Sequence, residues 1–595
     1  MTDLFPIRDI GFLLEQVLRV DTLLAAPRYA HLDLDAARST LALARELAAD
    51  VFLPVAHAVD EREPQLIDGR VVLPDEVRAA VHAFRDAGFM AAPFDLADGG
   101  LQLPMVVTEA TLAILAAASA PLASYPGLTM AAAGLLRAHG SDELRQAWLP
   151  AMIEGRCFGT MALSEAGAGS SLADLTTTAH PATDDRFPGT FRLVGTKMWI
   201  TAADHDLSDN IVHFVLARIA GAPPGTRGIS LFLVPKRLPD GSPNDVRVVG
   251  VNHKMGYRAA VNTVFALGDG GGAVGWLIGE AHQGLRYMFH MMNEARIAVG
   301  LGAAAMAWAG YRHSLAYARD RLQGRPIAGR DPTSPQVPLV AHADVRRMLL
   351  SQKALAEGGL CLALWAARLV DDQRIARDAG DDAGANQLAM LLDVVTPIVK
   401  AWCSHHGLRA NDEAIQVLGG YGYAREYPVE RIWRDNRLNP IHEGTNGIQA
   451  IDLLGRKIGS GQGAGAAALL ARLRDGVERA RAGGPVARSL AERLAAEVDQ
   501  LTAVTGALLA GAGADPEAFL ANATPYLHLT GHVVVAWLWL EQVCAIEAGP
   551  ADAFAQGKLQ AARYFYGWEL PSTRAWASVL TPIERTPLDT HPDWL

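Results

Sequence analysis

A lone carboxylate, Glu443, stands in the stretch Asn439-Pro440-Ile441-His442-Glu443-Gly444-Thr445-Asn446-Gly447-Ile448-Gln449, where a proline-bounded segment meets a new helix. That helix is expected to start at a capping Thr445 or Asn446 and to carry Ile448, Ile451, Leu454 and Ile458 at its apolar positions. Gly444 permits the sharp turn before it. A carboxylate just outside a helix N-terminus feels the positive end of the dipole, which favours its ionised form and makes it a ready general base. A helix-capping acid without chemistry has the same local pattern, so the assignment rests on the rest of the chain.

A second constellation suits a cofactor. In Met161-Ala162-Leu163-Ser164-Glu165-Ala166-Gly167-Ala168-Gly169-Ser170-Ser171, two glycines strip side chains from a loop while serines add hydroxyls. Bare backbone N–H groups and hydroxyls are what a pyrophosphate or a flavin edge needs, although a Gly/Ser turn without ligand fits as well. The run Gly195-Thr196-Lys197-Met198-Trp199-Ile200-Thr201 sharpens the reading. In a regular strand Trp199 and Thr201 share a face, and an indole beside a hydroxyl suits an isoalloxazine ring. Two other patterns are decoys. Gly300-Leu301-Gly302-Ala303-Ala304-Ala305 has the letters of a dinucleotide fingerprint, but it lies in a helical run without a preceding strand, where small residues serve helix packing. His405-His406 is expected to be no metal site, because helix neighbours point apart and no third ligand stands nearby. No metal site is expected elsewhere.

The elements that must position these groups follow from length and texture. The chain has 595 residues, half of them hydrophobic, which is room for about four units of about 150 residues each. A net charge of −11 and a pI near 5.9 argue against nucleic acid as a partner. Cys157, Cys361, Cys403 and Cys544 are scattered without a C-x-x-C pair, as in a reducing compartment. Asp3 and Asp9 near the start leave no charged-then-apolar leader, so a soluble cytoplasmic protein is expected. The uncharged run from Ala110 to Leu136 is long enough for a membrane span, but Pro121, Pro126 and Gly127 are expected to cut it into two short buried helices.

Residues 1–156 read as a helical domain, with helices over Ala36–Val51 and Pro74–Ala87 and a helix start at Ser141. Residues 157–272 read as β, with strands at Phe191–Thr201, Ile211–Ala217 and Ile229–Val234. Long helices return over 273–459 (Tyr287–Ala318, Val345–Val370, Leu388–Leu408) and include the Glu443 segment. A flexible joint at Gly459–Gly465 leads to a helical extension over 460–595. The fold class is mainly α with an inserted β domain.

In chain order, the Gly/Ser loop, Lys197–Thr201, Arg321-Leu322-Gln323-Gly324, Gln416-Val417-Leu418-Gly419-Gly420-Tyr421-Gly422 and Glu443-Gly444-Thr445 resemble the motifs of the acyl-CoA dehydrogenase family, from about residue 36 to 458. The length and the block after 460 resemble that family's long branch, which includes 3-(methylthio)propanoyl-CoA dehydrogenases. The resemblance implies a helical N-terminal domain, a middle β-barrel or sandwich, a C-terminal four-helix bundle and an additional helical domain, with FAD as cofactor. It assigns Met161, Leu163, Ser164, Ser170, Trp199, Thr201 and Thr445 to FAD, and Arg321, Gln323, Gln416 and Gly420 to the FAD of a neighbouring subunit. It places Ser170, Asn293 and Arg296 near the CoA substrate, where a cation would suit phosphate. Three departures stand out. His442 replaces a usual Tyr, Gly447 replaces a larger residue, and the loop Arg325–Pro338 is longer than in short members.

The implied reaction is α,β-dehydrogenation of an acyl-CoA thioester to the trans-2-enoyl-CoA, as in fatty acid β-oxidation. Glu443 takes the α-proton, the flavin takes the β-hydrogen, and an electron-transfer flavoprotein takes the electrons. The enolate must be stabilised at the thioester oxygen, because its α-proton is far too weakly acidic for a free carboxylate. Excluding water would raise the carboxylate's pKa, opposite to the dipole effect. Glu294 is the rival base, one position off the helical site some family members use. An oxidase passing electrons to oxygen, a flavin monooxygenase with no need of the Glu, and a non-catalytic scaffold are the alternatives. The run His532–Leu540 is apolar all round and must be buried, so residues 466–595 are expected to cover a surface used by a second dimer, leaving a homodimer.

Overall fold

Val-, Ile- and Phe-rich runs between Gly/Pro turns fold as strands in the middle of the chain, and Ala/Leu-rich stretches fold as helices on either side. The computed structural model describes residues 4–182, 186–326, 333–459 and 463–595. Parts of the expected long loop and of the Gly-rich joint, residues 327–332 and 460–462, lie outside the described residues. The chain forms two compact units: Met1–Leu41, Met105–Ala117 and Arg296–Leu595 make one, Ala42–Pro104 and Ala118–Ala295 the other.

The second unit holds the sheet. A small hairpin, β1 (Gln65–Ile67) and β2 (Arg70–Val72), precedes β3 (Cys157–Ala162), β4 (Thr178–Pro181), β5 (Phe191–Thr201), β6 (Asn210–Ile219), β7 (Ile229–Pro235), β8 (Val246–Val251), β9 (Asn262–Leu267) and β10 (Ala273–Leu277). The order is β10-β7-β6-β4-β5-β9-β8, with β3 parallel to β6 and β10 pairing β5 as well as β7. That double pairing curls the sheet around Leu193, Ile200, Val215, Phe232, Val234 and Phe265, which are all buried.

One helical run departs from expectation. Met105–His139 is a single 35-residue stretch broken at Ser119 (φ −160°, ψ 97°), so the division precedes the prolines. Pro121 then falls in the first turn of the second piece, where its missing N–H costs nothing, and Pro126 stays inside the helix. The runs Met105–His139, Asp382–Tyr423 and Ala523–Glu547 are long and apolar enough to cross a membrane by length and composition, yet 94%, 67% and 83% of their most apolar windows are buried in protein.

In the helical unit, Ala343–Asp378 and Asp382–Leu418 pack along each other. Glycines allow close approach: a Cβ on Gly300 would stand 2.6 Å from the Val399 carbonyl, which supports the packing reading of that decoy motif. Asp371 is buried and accepts from the Met105 and Val106 N–H groups (2.7 and 2.9 Å) and from the Tyr29 hydroxyl (2.9 Å), capping a helix far away in sequence. The Ala523–Glu547 helix is buried as expected, with Trp539 Nε1 donating to Ala354 O (3.3 Å) and Gly531 seated against Trp402. Buried Lys558 pairs with Asp9 and Glu357, both at 2.8 Å, tying the N-terminal segment and the extension to the bundle.

Candidate active site

Glu443 sits in a left-handed backbone conformation (φ 54°), followed by Gly444 at φ 82°. A side-chain-bearing residue there is strained and persists only when its surroundings hold it. They do. Gln449 Nε2 donates to the carbonyls of Glu443 (3.0 Å) and Gly444 (3.2 Å). Lys400 Nζ donates to Gly444 O (2.7 Å) and Asn446 Oδ1 (3.1 Å). Thr445 is the N-cap, its Oγ1 accepting from Ile448 N–H at 3.3 Å.

Burial pushes the Glu443 carboxyl above its ordinary range, and the charges of Arg296 and Lys400 only partly oppose this. Desolvation, one of the two effects expected from sequence, thus outweighs the neighbouring cations. Burial also lowers Lys400, to about 7, against the pull of Glu443. His442 is lowered to about 3 by burial, and its Nε2 lies 2.9 Å from Asn439 Oδ1, so it stands as a neutral wall. Arg296, expected near CoA phosphate, is 4% exposed and pairs with Asp452 at 3.2 Å. Its charge answers Asp452 and Glu443, a placement that lends no support to a phosphate contact.

Lys400, Gln449 and Asp452 were not singled out by the sequence reading. Lys400 had a signal: it is the single Lys, Arg, Asp or Glu between Asp393 and Arg409, in an otherwise uncharged helical run. Such a lysine is buried only with a reason.

The Gly/Ser loop belongs to the β-containing unit. Buried Glu165 fastens it: one carboxylate oxygen accepts from Thr176 N and Oγ1 (2.8 and 2.6 Å), the other from Thr177 Oγ1 (2.6 Å) and Lys197 Nζ (2.9 Å). Burial alone would raise this carboxyl, but Lys197 and the threonine hydroxyls outweigh it and hold it near 2. Lys197 also donates to Leu163 O (3.0 Å), and Met198 N–H to Ser164 O (3.0 Å), so loop and β5 move as one piece.

Along β5 the expected regular alternation fails. A bulge between Lys197 and Ile200 shifts the register, and Trp199 lies in it at φ 64°. Ile200 enters the core, while Trp199 is 58% exposed and Thr201 half-buried. The bulge, rather than simple period-two alternation, sets the direction of the indole. Met161 is buried within β3, Leu163 and Ser164 are half-buried, and Ser170 is exposed. An open indole face, nearby hydroxyls and two glycines around which a Cβ would meet nothing, Gly167 and Gly169, form a donor set that fits a flavin.

In the helical unit, Arg321, Gln323, Gln416 and Gly420 are all exposed. The Arg321 guanidinium lies 5.5 Å over the Tyr421 ring, and Tyr423 beside them is 89% exposed. Asn293 is half-buried on the Gly284–Asp320 helix, and Glu294 faces His290 at 3.9 Å. For His405-His406, the expectation that no third ligand stands nearby does not hold. His528, 122 residues further on, folds against them, and ring nitrogens of all three lie within 4.8 Å of one another. Sequence proximity could not reveal a ligand delivered by the extension.

Four domain profiles match the chain: acyl-CoA dehydrogenase N-terminal domain at residues 35–156, middle domain at 160–267, C-terminal domain at 282–458, and an acetyl-CoA dehydrogenase C-terminal-like domain at 469–591. The chain is 38% identical to 3-methylmercaptopropionyl-CoA dehydrogenase of Ruegeria pomeroyi, covering 95% of each. It is 33% identical to the broad-specificity linear acyl-CoA dehydrogenase FadE5 of Mycobacterium tuberculosis, covering 97% of each. The fold is shared with Caenorhabditis elegans ACDH-11 in complex with C11-CoA (TM-score 0.78, 18% identity, 99% of this chain and 95% of that one). It is shared equally with an acyl-CoA dehydrogenase complexed with FAD from Bacillus anthracis (TM-score 0.76, 20% identity, 94% and 90%).

Proposed function

The chain belongs to the acyl-CoA dehydrogenase family, and on that premise we propose that it takes the α-proton of a linear acyl-CoA at Glu443 and passes the electrons to an electron-transfer flavoprotein. The enzyme is an acyl-CoA dehydrogenase with FAD as cofactor. When bound, FAD supplies the acceptor for the β-hydrogen and its electron pair, and the product is the trans-2-enoyl-CoA.

The observation that carries the assignment of the base is the Glu443 turn: a carboxyl raised by burial, in a strained backbone clamped by Gln449 and Lys400. A raised pKa brings the base closer to the weak acid it must deprotonate. Arg296 and Lys400 keep the carboxyl ionisable despite desolvation. The backbone N–H of Glu443 is assigned to the developing enolate oxygen. Trp199, Thr201, Ser164 and Ser170 would hold the flavin, with Glu165 and Lys197 anchoring their loop from behind. The substrate class follows the names of the relatives, one defined by a thioether acyl chain and one by linear chains. The exposed Arg321, Gln416 and Gly420 face supports a homodimer in which each subunit contacts its partner's FAD. A cytoplasmic location completes the reading.

Anaerobic titration of the flavoprotein with linear, thioether and branched acyl-CoAs tests it. Linear and thioether chains should bleach the flavin, and Glu443→Gln should keep the flavin but bleach about 10²–10⁴-fold more slowly. A Glu443→Gln variant bleaching at the wild-type rate would remove Glu443 as base. Rapid oxygen uptake without an added acceptor would replace the electron-transfer flavoprotein with oxygen.

A further inference from the structure

We propose that His405, His406 and His528 form a binding site for a divalent transition cation of zinc-like character, which pins the Ala523–Glu547 helix to the Asp382–Leu418 helix. The three ring nitrogens lie within 4.8 Å of one another. His406 is only 3% exposed, and among the described residues neither of its ring nitrogens has a hydrogen-bond partner. Nδ1 of His528 has none either. A neutral imidazole always carries one N–H and one lone pair, so a buried ring with both unanswered calls for a ligand.

The chemistry of the set is specific. Imidazole nitrogens favour zinc, copper and nickel over magnesium or calcium. Tetrahedral zinc with nitrogens at about 2.1 Å needs them about 3.4 Å apart, a small contraction from the spacing here. Exposed His405 has the freedom to close that gap, and its exposure provides the entry path. Adjacent helix residues rarely point to one centre, but here the partner helix meets them from the side with His528, whose ring stacks on Trp576 with centroids 5.5 Å apart. Behind the three, His532 is held in place as Trp402 Nε1 donates to its Nδ1 at 3.1 Å. The neighbouring cation, Arg409, is paired with Glu569 at 2.5 Å, which blunts its repulsion of a metal. The site joins the bundle that carries Lys400 to the extension, so its role is a staple between them.

Zinc binding to the full-length, FAD-loaded protein after chelator treatment tests the proposal. Wild type should bind one equivalent of Zn²⁺ tightly and gain thermal stability with it, since a ligand of the native state alone raises the unfolding midpoint. His405→Ala, at an exposed position that should leave the fold unaffected, should weaken this binding about 10- to 100-fold and abolish the thermal gain. His528→Ala should do the same; if that variant does not fold, His405→Ala decides alone. Co²⁺ in place of zinc should give visible bands of a nitrogen-ligated ion in wild type and not in His405→Ala. Equal zinc affinity in wild type and His405→Ala would overturn the site, leaving His406 to be served by a buried water.

Discussion

At the scale of single residues, Glu443, the proposed base, and the charges that act on it sit on separate stretches of chain. Glu443 is raised by burial, and Lys400, on a helix 43 positions earlier, offsets part of that rise while holding the next carbonyl. Removing a cation from beside a carboxylate raises the carboxylate's pKa. A general base works above its pKa and fails as pH falls through it. Lys400→Met should therefore move the acid limb of the kcat/KM profile upward by about one pH unit. Because burial lowers Lys400 to about 7, its charge is fully present only below that pH. A limb that stays in place would show that Lys400 only holds the turn. Arg296 belongs to the same circle, since its guanidinium is buried between Asp452 and Glu443.

At the scale of elements, the β5 bulge sets the direction of Trp199, the side chain proposed to meet the flavin. Trp199 in a left-handed conformation presents its indole outward while Ile200 stays in the core. Trp199→Ala removes a side chain that packs into no core, so the fold should persist while FAD affinity falls about tenfold, the equivalent of about 1.4 kcal/mol of stacking. Full retention of yellow colour through dilution and gel filtration would reject the stacking role. The Gly/Ser loop was legible because glycines and serines advertise themselves. Its anchor was not, because Glu165 and Lys197 acquire meaning only when the loop and β5 come together at 2.9 Å. In the same way the run breaks at Ser119 rather than at the prolines expected to cut it, and Pro121 sits in the first turn of the second piece.

At the scale of the whole molecule, the extension packs on the bundle of its own chain through Trp402, Trp539 and His532. If it also covers the face that short family members use to pair dimers, the protein should be a homodimer. Light scattering should then give a mass near two chains of 63.4 kDa each. Four chains would refute the covering role, and one chain would refute an FAD site shared through Arg321 and Gln416. Stripping FAD should weaken the dimer, because a cofactor held by both subunits stabilises whichever state binds it.

The amino-acid sequence alone determined the fold class, the strand Phe191–Thr201, and the turn and cap that follow Glu443, because each depends on local chemistry: hydrophobic period, turn residues, a capping hydroxyl. Tertiary structure alone decided that burial outweighs the cations beside Glu443, since desolvation depends on what surrounds a group rather than on what precedes it. It also decided that Lys400 and Arg296 act on Glu443 while Asp452 pairs with Arg296, that a bulge rather than alternation aims Trp199, and that His528 reaches His405 and His406. These are contacts between residues tens to more than a hundred positions apart, and periodicity carries no information about partners at that range.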